Sequence, residues 1–173
     1  MVEPGLHDAL AHVEGVSFDH AAVAAPRLRD LLPTYSDLLG GKLVQGGDNE
    51  SVGYRAMQLH FVAGSKIELM EPLSGSRFFD SFFRTRATGV HHLTFKVEDI
   101  GQALAVMESH GYAAFAPNLE NEEWREVFIH PKEARGVVIQ LAQSETVFMG
   151  PPELSIELIL DGRGERGNGV PSP

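Results

Sequence analysis

The segment Ser17-Phe18-Asp19-His20-Ala21-Ala22-Val23-Ala24 has a counterpart 72 residues later, Gly89-Val90-His91-His92-Leu93-Thr94-Phe95-Lys96, and His20 and His92 fall at the same place in each. Counting 48 residues on from each histidine reaches a polar residue in an apolar run: Glu68 within Lys66-Ile67-Glu68-Leu69, and Gln140 within Val138-Ile139-Gln140-Leu141. Gly64 and Gly136 share the register, each four residues before that polar residue. A register held at three separate points constrains the chain to fold as a duplicated module.

Each half reads as βαβββ. Phe18 to Ala24 is a short buried strand bounded by Pro26. Pro26 suits the first turn of a helix, and Leu28, Leu31, Leu32, Tyr35, Leu38 and Leu39 follow at helical spacing until Gly40-Gly41, a stripe expected mostly in the core. Pro33 lies inside that pattern and predicts a kink, because it lacks an N–H and crowds the carbonyl of Arg29. Strands are expected over 42–45, 54–62 and 66–70, with turns at Gly46-Gly47-Asp48-Asn49 and Ala63-Gly64-Ser65. A linker follows, in which Ser76 can cap a short helix that gathers Phe78, Phe79, Phe82 and Phe83 on one side as a buried face or pocket wall.

In the second half Asp99 and Gln102 form a capping-box pattern before a helix carrying Ile100, Ala103, Leu104 and Met107, closed by Gly111. Strands are expected over 112–116, 124–130 and 136–142. Beyond Ser144, residues 153–160 alternate as one extra strand, and Gly162 to Pro173 has the composition of a disordered tail. The expected organisation is an arm at 1–16, modules at 17–73 and 89–144, a linker helix at 74–88 and a partly disordered tail at 145–173. The fold class is α+β.

A chain of 173 residues, 43% hydrophobic, can bury a sizeable core. It has no cysteine, which excludes a disulfide framework and a thiolate metal site and fits a cytoplasmic protein. No window approaches a membrane span or a secretory leader. A net charge of −10 argues against a nucleic-acid surface.

Residues on a strand alternate between faces, so one His and one Glu or Gln on two strands of a sheet can point to the same side. Duplication supplies the second pair. His20, Glu68 and His92 thus offer two imidazoles and a carboxylate, with the amide oxygen of Gln140 or a water completing the shell, a set suited to one divalent zinc, cobalt, nickel, manganese or iron ion. Glu68 is the most telling member, because a charge within Ile67-Glu68-Leu69-Met70 is costly to bury without a counter-ion. His91 is expected on the other face of its strand, as a structural or supporting residue. His60 is the nearest competing histidine.

The stretches Phe18-Asp19-His20, Tyr35-Ser36-Asp37-Leu38-Leu39-Gly40, Lys66-Ile67-Glu68-Leu69-Met70-Glu71-Pro72-Leu73, Gly89-Val90-His91-His92-Leu93-Thr94-Phe95, His130-Pro131-Lys132 and Gly136 to Leu141 together resemble the vicinal oxygen chelate superfamily. This is the glyoxalase and bleomycin-resistance fold, and the likeness is nearest to its methylmalonyl-CoA epimerase branch. The resemblance implies paired βαβββ modules in a cup-shaped mixed sheet around a metal held at His20, Glu68, His92 and Gln140. It also implies a homodimer and a small substrate, an acyl-CoA thioester or an α-keto adduct.

The activity so implied is that of a metal-dependent isomerase or lyase, with proton transfer beside a carbonyl through a metal-bound enolate. The last ligand in such enzymes is usually glutamate, and Gln140 has no useful basicity. The base then falls to Glu68, or to Glu50 in the loop before the hairpin. Cations for the phosphates of a CoA substrate are available at Arg77, Arg84 and Arg86 or at Lys132 and Arg135. The alternative is a non-catalytic protein of the same fold that sequesters an antibiotic or natural product. Thiol transfer and dioxygenation are further chemistries of the same scaffold.

Overall fold

A computed structural model describes residues 13–145 and 150–164, so the expected arm at 1–16 and the tail from Gly162 lie largely outside the described residues. The elements in chain order are β1 (Ser17–Ala24), β2 (Lys42–Asn49), β3 (Tyr54–His60), β4 (Lys66–Pro72), α1 (Asp80–Phe83), β5 (Gly89–Lys96), α2 (Ile100–Ser109), β6 (Phe115–Asn118), β7 (Arg125–Ile129), β8 (Val138–Gln143) and α3 (Ile156–Leu160). The eight strands form one mixed sheet in the order β2-β3-β4-β1-β5-β8-β7-β6. β1 runs parallel to β4 and antiparallel to β5, and β5 runs parallel to β8. The four central strands are therefore those that carry His20, Glu68, His92 and Gln140.

Alternation along these strands separates two environments. On one face Val23, Met57, Leu59 and Leu69 pack with Leu28, Leu31 and Ile159, while Val127 and Leu141 pack with Ile100, Ala103 and Met107 of α2. Apolar side chains removed from water on this scale supply most of the driving force for folding. The opposite face carries the neighbours of those residues, Gln58, Glu68, Glu126 and Gln140. Asp99 caps α2, its Oδ1 accepting from the backbone N–H of Gly101 at 2.7 Å and of Gln102 at 3.0 Å. Gly64 and Gly136 both have positive φ, +82° and +107°, so the shared glycine register corresponds to a backbone conformation that L side chains rarely adopt.

Three elements differ from the sequence expectation. The leucine-rich stretch after β1 is not one kinked helix but a 3₁₀ turn at Leu28–Leu31 followed by a π-helical turn at Pro33–Leu38. Pro33 cannot donate into the preceding turn, and the ladder re-forms with wider spacing beyond it. Leu28 and Leu31 enter the core, but Leu38 and Leu39 are 77% and 56% exposed, so only the first half of the stripe is buried. The stretch 153–160 holds a helix where alternation predicts a strand. Ser155 Oγ accepts from Leu158 N at 3.2 Å, and Ile156, Ile159 and Leu160, at i, i+3 and i+4, pack on the core beside Met57 and Leu59. β2 extends through Gly46-Gly47-Asp48-Asn49, where composition predicts a turn. Arg55 on β3 holds Asp48 there with a two-pronged ion pair at 2.6 and 2.9 Å.

Candidate metal centre

Strand register places the four candidate ligands before any side-chain geometry is considered. Ala22 on β1 stands opposite Glu68 on β4 and His92 on β5, and Thr94 on β5 stands opposite His20 on β1 and Gln140 on β8. Residues paired across strands share a face. Glu68, Ala22 and His92 thus form one row, and His20, Thr94 and Gln140 the next. Ala22, fully buried, leaves room for Glu68 and His92 to lean together over its methyl group.

Two bulges refine this grid. Pairing between β1 and β5 skips Asp19, between Phe18 and His20, and skips His91, between Val90 and His92. An extra residue in one strand bends the chain locally and re-aims its side chain. Each bulged residue immediately precedes a candidate ligand histidine, and each ends beside it. This is why His91, expected on the opposite face, lines the same cavity as His92. That cavity has a volume of about 620 Å³ and is bounded by His20, Glu68, His92, Gln140 and Glu126, with Phe78 of the aromatic linker on its wall.

The rings of His20 and His92 have centroids 5.6 Å apart, and His92 Nε2 lies 3.8 Å from Glu68 Oε2. One ligand atom from each of His20, Glu68 and His92 lies within 4.8 Å of the others, and these three are the only such His, Asp or Glu group among the described residues. Ligand bonds of roughly 2.0–2.2 Å to a common ion need only small side-chain rotations from this arrangement. His60 lines the cavity but stands outside the group.

Hydrogen bonding assigns the lone pairs. Burial alone would raise the Asp19 carboxyl, but hydrogen bonds and charge from His20 and Lys66 hold it well below the usual carboxylate range. An ionised Asp19 only accepts, so its 2.6 Å contact fixes a proton on His20 Nδ1 and makes Nε2 the ring nitrogen that can offer a lone pair. The other Asp19 oxygen accepts from Lys66 Nζ at 2.5 Å. Burial first, then the neighbouring His91 and His20, pushes His92 well below the ordinary histidine range. Burial likewise lowers His91 to about 4. The two Nδ1 atoms of His91 and His92 are 3.0 Å apart, so if His92 turns its Nε2 lone pair to the centre, its Nδ1–H donates to His91. The His91 ring is held among Phe78, Phe79 and Phe82, at centroid distances of 5.1–5.8 Å.

Gln140 Nε2 donates to Glu126 Oε2, and the Thr94 hydroxyl lies 2.5 Å from Gln140 Oε1 and 3.1 Å from His20 Nε2. One hydroxyl proton thus lies between two acceptors, Gln140 Oε1 and His20 Nε2. Acceptors in excess of protons, in a buried place, are the condition a cation relieves. The two-imidazole, two-oxygen donor set fits a divalent first-row metal.

Glu50 falls in the exposed turn between β2 and β3 and is not among the residues lining the cavity. Of the arginines considered for phosphate, Arg77 pairs with Asp80, and Arg86 donates to the carbonyls of Val90 and Gly136. Sequence reasoning assigned no role to Asp19, Thr94, Trp124 or Glu126. Glu126 carried a weaker form of the Glu68 signal, an acid between Arg125 and the apolar run Val127-Phe128-Ile129, and it lies outside the 48-residue register.

The family model described as Glyoxalase/Bleomycin resistance protein/Dioxygenase superfamily matches residues 19–128. The ethylmalonyl-CoA/methylmalonyl-CoA epimerase of Cereibacter sphaeroides is 28% identical over 129 residues, covering 72% of this chain and 96% of that protein. Among solved structures, methylmalonyl-CoA epimerase from Mycobacterium tuberculosis superposes with a TM-score of 0.65 at 30% identity, over 75% of this chain and 88% of that one. A hypothetical protein from Bacillus halodurans superposes with a TM-score of 0.67 at 29% identity, over 78% and 98%.

Proposed function

The chain belongs to the glyoxalase/bleomycin resistance protein/dioxygenase superfamily, and from that premise we propose that it is a metal-dependent isomerase or lyase moving a proton beside the carbonyl of an acyl-CoA thioester. The observation that carries this reading is the convergence of His20, Glu68 and His92 on one cavity wall. The names of the similar proteins, epimerases of methylmalonyl-CoA and ethylmalonyl-CoA, support the substrate class. In this reading residues 17–73 and 89–144 are the duplicated modules, their shared sheet face is the cup, and the protein works as a cytoplasmic homodimer.

His20, Glu68, His92 and the oxygen of Gln140 would hold the ion. When bound, a divalent metal supplies Lewis-acid polarisation of the substrate carbonyl, which makes the adjacent C–H more acidic. The protein's own groups do the rest. Asp19 keeps His20 in the tautomer that presents Nε2, and His91 does the same for His92. Phe78 and its aromatic neighbours close one side against water, which strengthens electrostatic interactions within. Glu68, whose side chain is 17% exposed, accepts the proton from the substrate carbon; return by the same carboxylate exchanges that proton with solvent, and inversion requires delivery from the opposite face. Lys66 and Lys96 line the same cavity and can receive a substrate carboxylate. Gln140 binds and orients but transfers no proton.

The test combines metal analysis of purified protein with deuterium exchange from solvent into methylmalonyl-CoA. Bound metal together with exchange at the α-carbon, lost in Glu68→Gln, is the expected result. Metal-loaded protein that binds small molecules without exchange would instead establish the sequestering alternative, which the non-basic Gln140 favours.

A further inference from the structure

We propose that Glu126 is a positioning residue that aims the amide oxygen of Gln140 at the His20–Glu68–His92 centre. The inference rests on the reading that these residues hold a divalent ion with Gln140 completing the set. A glutamine is an ambiguous ligand, because its oxygen and nitrogen ends have nearly the same shape and only the oxygen can bind a cation. Its neighbours decide which end faces the centre.

Glu126 on β7 stands opposite Ala142 of β8, one row along from the pair Phe128 and Gln140, and is 1% exposed. Its Oε2 accepts from Gln140 Nε2 and, at 2.7 Å, from the indole N–H of Trp124, itself 7% exposed. An indole N–H can only donate, so Oε2 serves as an acceptor, and it draws the NH2 end of Gln140 towards itself and turns the amide oxygen the other way. That oxygen meets Thr94 Oγ1, which in turn lies 3.1 Å from His20 Nε2. A neutral amide in place of Glu126 can donate as well as accept. It therefore permits Gln140 to turn over and present two N–H groups to the centre.

The experiment is a double-mutant cycle on the full chain, read as Co(II) affinity by competition with a chromogenic chelator. Glu126→Gln, which keeps size and shape, is expected to weaken Co(II) binding roughly tenfold or more, as loss of a partner that orients a ligand does. In a Gln140→Glu background both ends of residue 140 are oxygens, and the amide introduced by Glu126→Gln can donate to one of them. There the same substitution is expected to cost less than about twofold or to improve binding. A merely structural role for Glu126 would give the same loss in both backgrounds, and that result, or no loss with Gln140 in place, overturns the proposal.

Wild-type protein that fails to bind Co(II), or His20→Ala that binds it like wild type, instead overturns the metal reading on which the inference stands. A readout free of substitutions is the Gln140 side-chain NH2 in ¹⁵N NMR of metal-loaded wild type. The proposal expects it to be protected from solvent exchange, and rapid exchange contradicts the bond to Glu126.

Discussion

Replacing Asp19 with asparagine removes one charge and almost no volume, yet it places the His20 tautomer in conflict with Lys66. Asp19 Oδ1 sits 2.6 Å from His20 Nδ1 and Oδ2 sits 2.5 Å from Lys66 Nζ, with the carboxylate side chain only 11% exposed. If the substituted amide keeps its oxygen on His20, its NH2 points at an ammonium that can only donate. If it turns over, His20 must accept at Nδ1 and carry its proton on Nε2, the atom meant for the metal. Either choice forfeits one charge-assisted hydrogen bond, worth about 1.5–3 kcal/mol. Part of that loss falls on the metal. Substitutions in the partners of ligand histidines weaken binding about 10–100-fold, or roughly 1.4–2.7 kcal/mol. Calorimetric titration of chelator-stripped D19N with zinc should show a Kd raised by that factor, with stoichiometry unchanged. A Kd within about twofold of wild type would refute the tautomer argument.

Ala22→Leu places three extra carbons between Glu68 and His92. Overpacking should cost about 1–3 kcal/mol of stability in chemical denaturation. It should also abolish the rise in Tm that zinc gives the wild type, and an undiminished rise would show that the row geometry is wrong. His91, lowered to about 4 from an ordinary 6.5, favours the folded metal-free protein while neutral. That stability is fully present above about pH 6.5 and declines towards pH 4 as the unfolded chain binds the proton first. His91 should contribute up to about 3 kcal/mol to the fall in urea-measured stability across this window, so the fall should shrink by about that much in His91→Phe while the part due to the buried His92 remains. Arg55 ties Asp48, Glu71 and the carbonyl of Leu160 together, so Arg55→Ala should destabilise by about 2 kcal/mol without altering metal affinity, as denaturation and titration of one sample can show.

The duplicated spacing made the convergence of the candidate ligands legible because register along a sheet is discrete: 48 residues separate His20 from Glu68 and His92 from Gln140, and each pair lands on adjacent strands of the same sheet. The strands of both halves were legible for the same reason, since their alternation has a period that survives in the sequence. What surrounds the ligands was not. Asp19 and His91 reach the site only because each is the extra residue of a bulge, and a bulge leaves no mark on periodicity. Glu126 and Trp124 belong to the second half alone and have no counterpart in the repeat. The stretch 153–160 misleads because Ile156, Leu158 and Leu160 satisfy a period of two, while Ser155 and the burial of Ile159 decide for a helix. The exposed Leu38 and Leu39 show the reverse problem, a helical stripe whose far end finds no core to cover it among the described residues.

X-ray absorption at the zinc edge of protein loaded with one equivalent of zinc tests the central claim most directly, because it counts imidazoles on the ion. The account predicts two histidine ligands with the remaining positions filled by oxygen, falling to one histidine in either His20→Ala or His92→Ala. A spectrum with no imidazole scattering, or one that neither substitution changes, would contradict it.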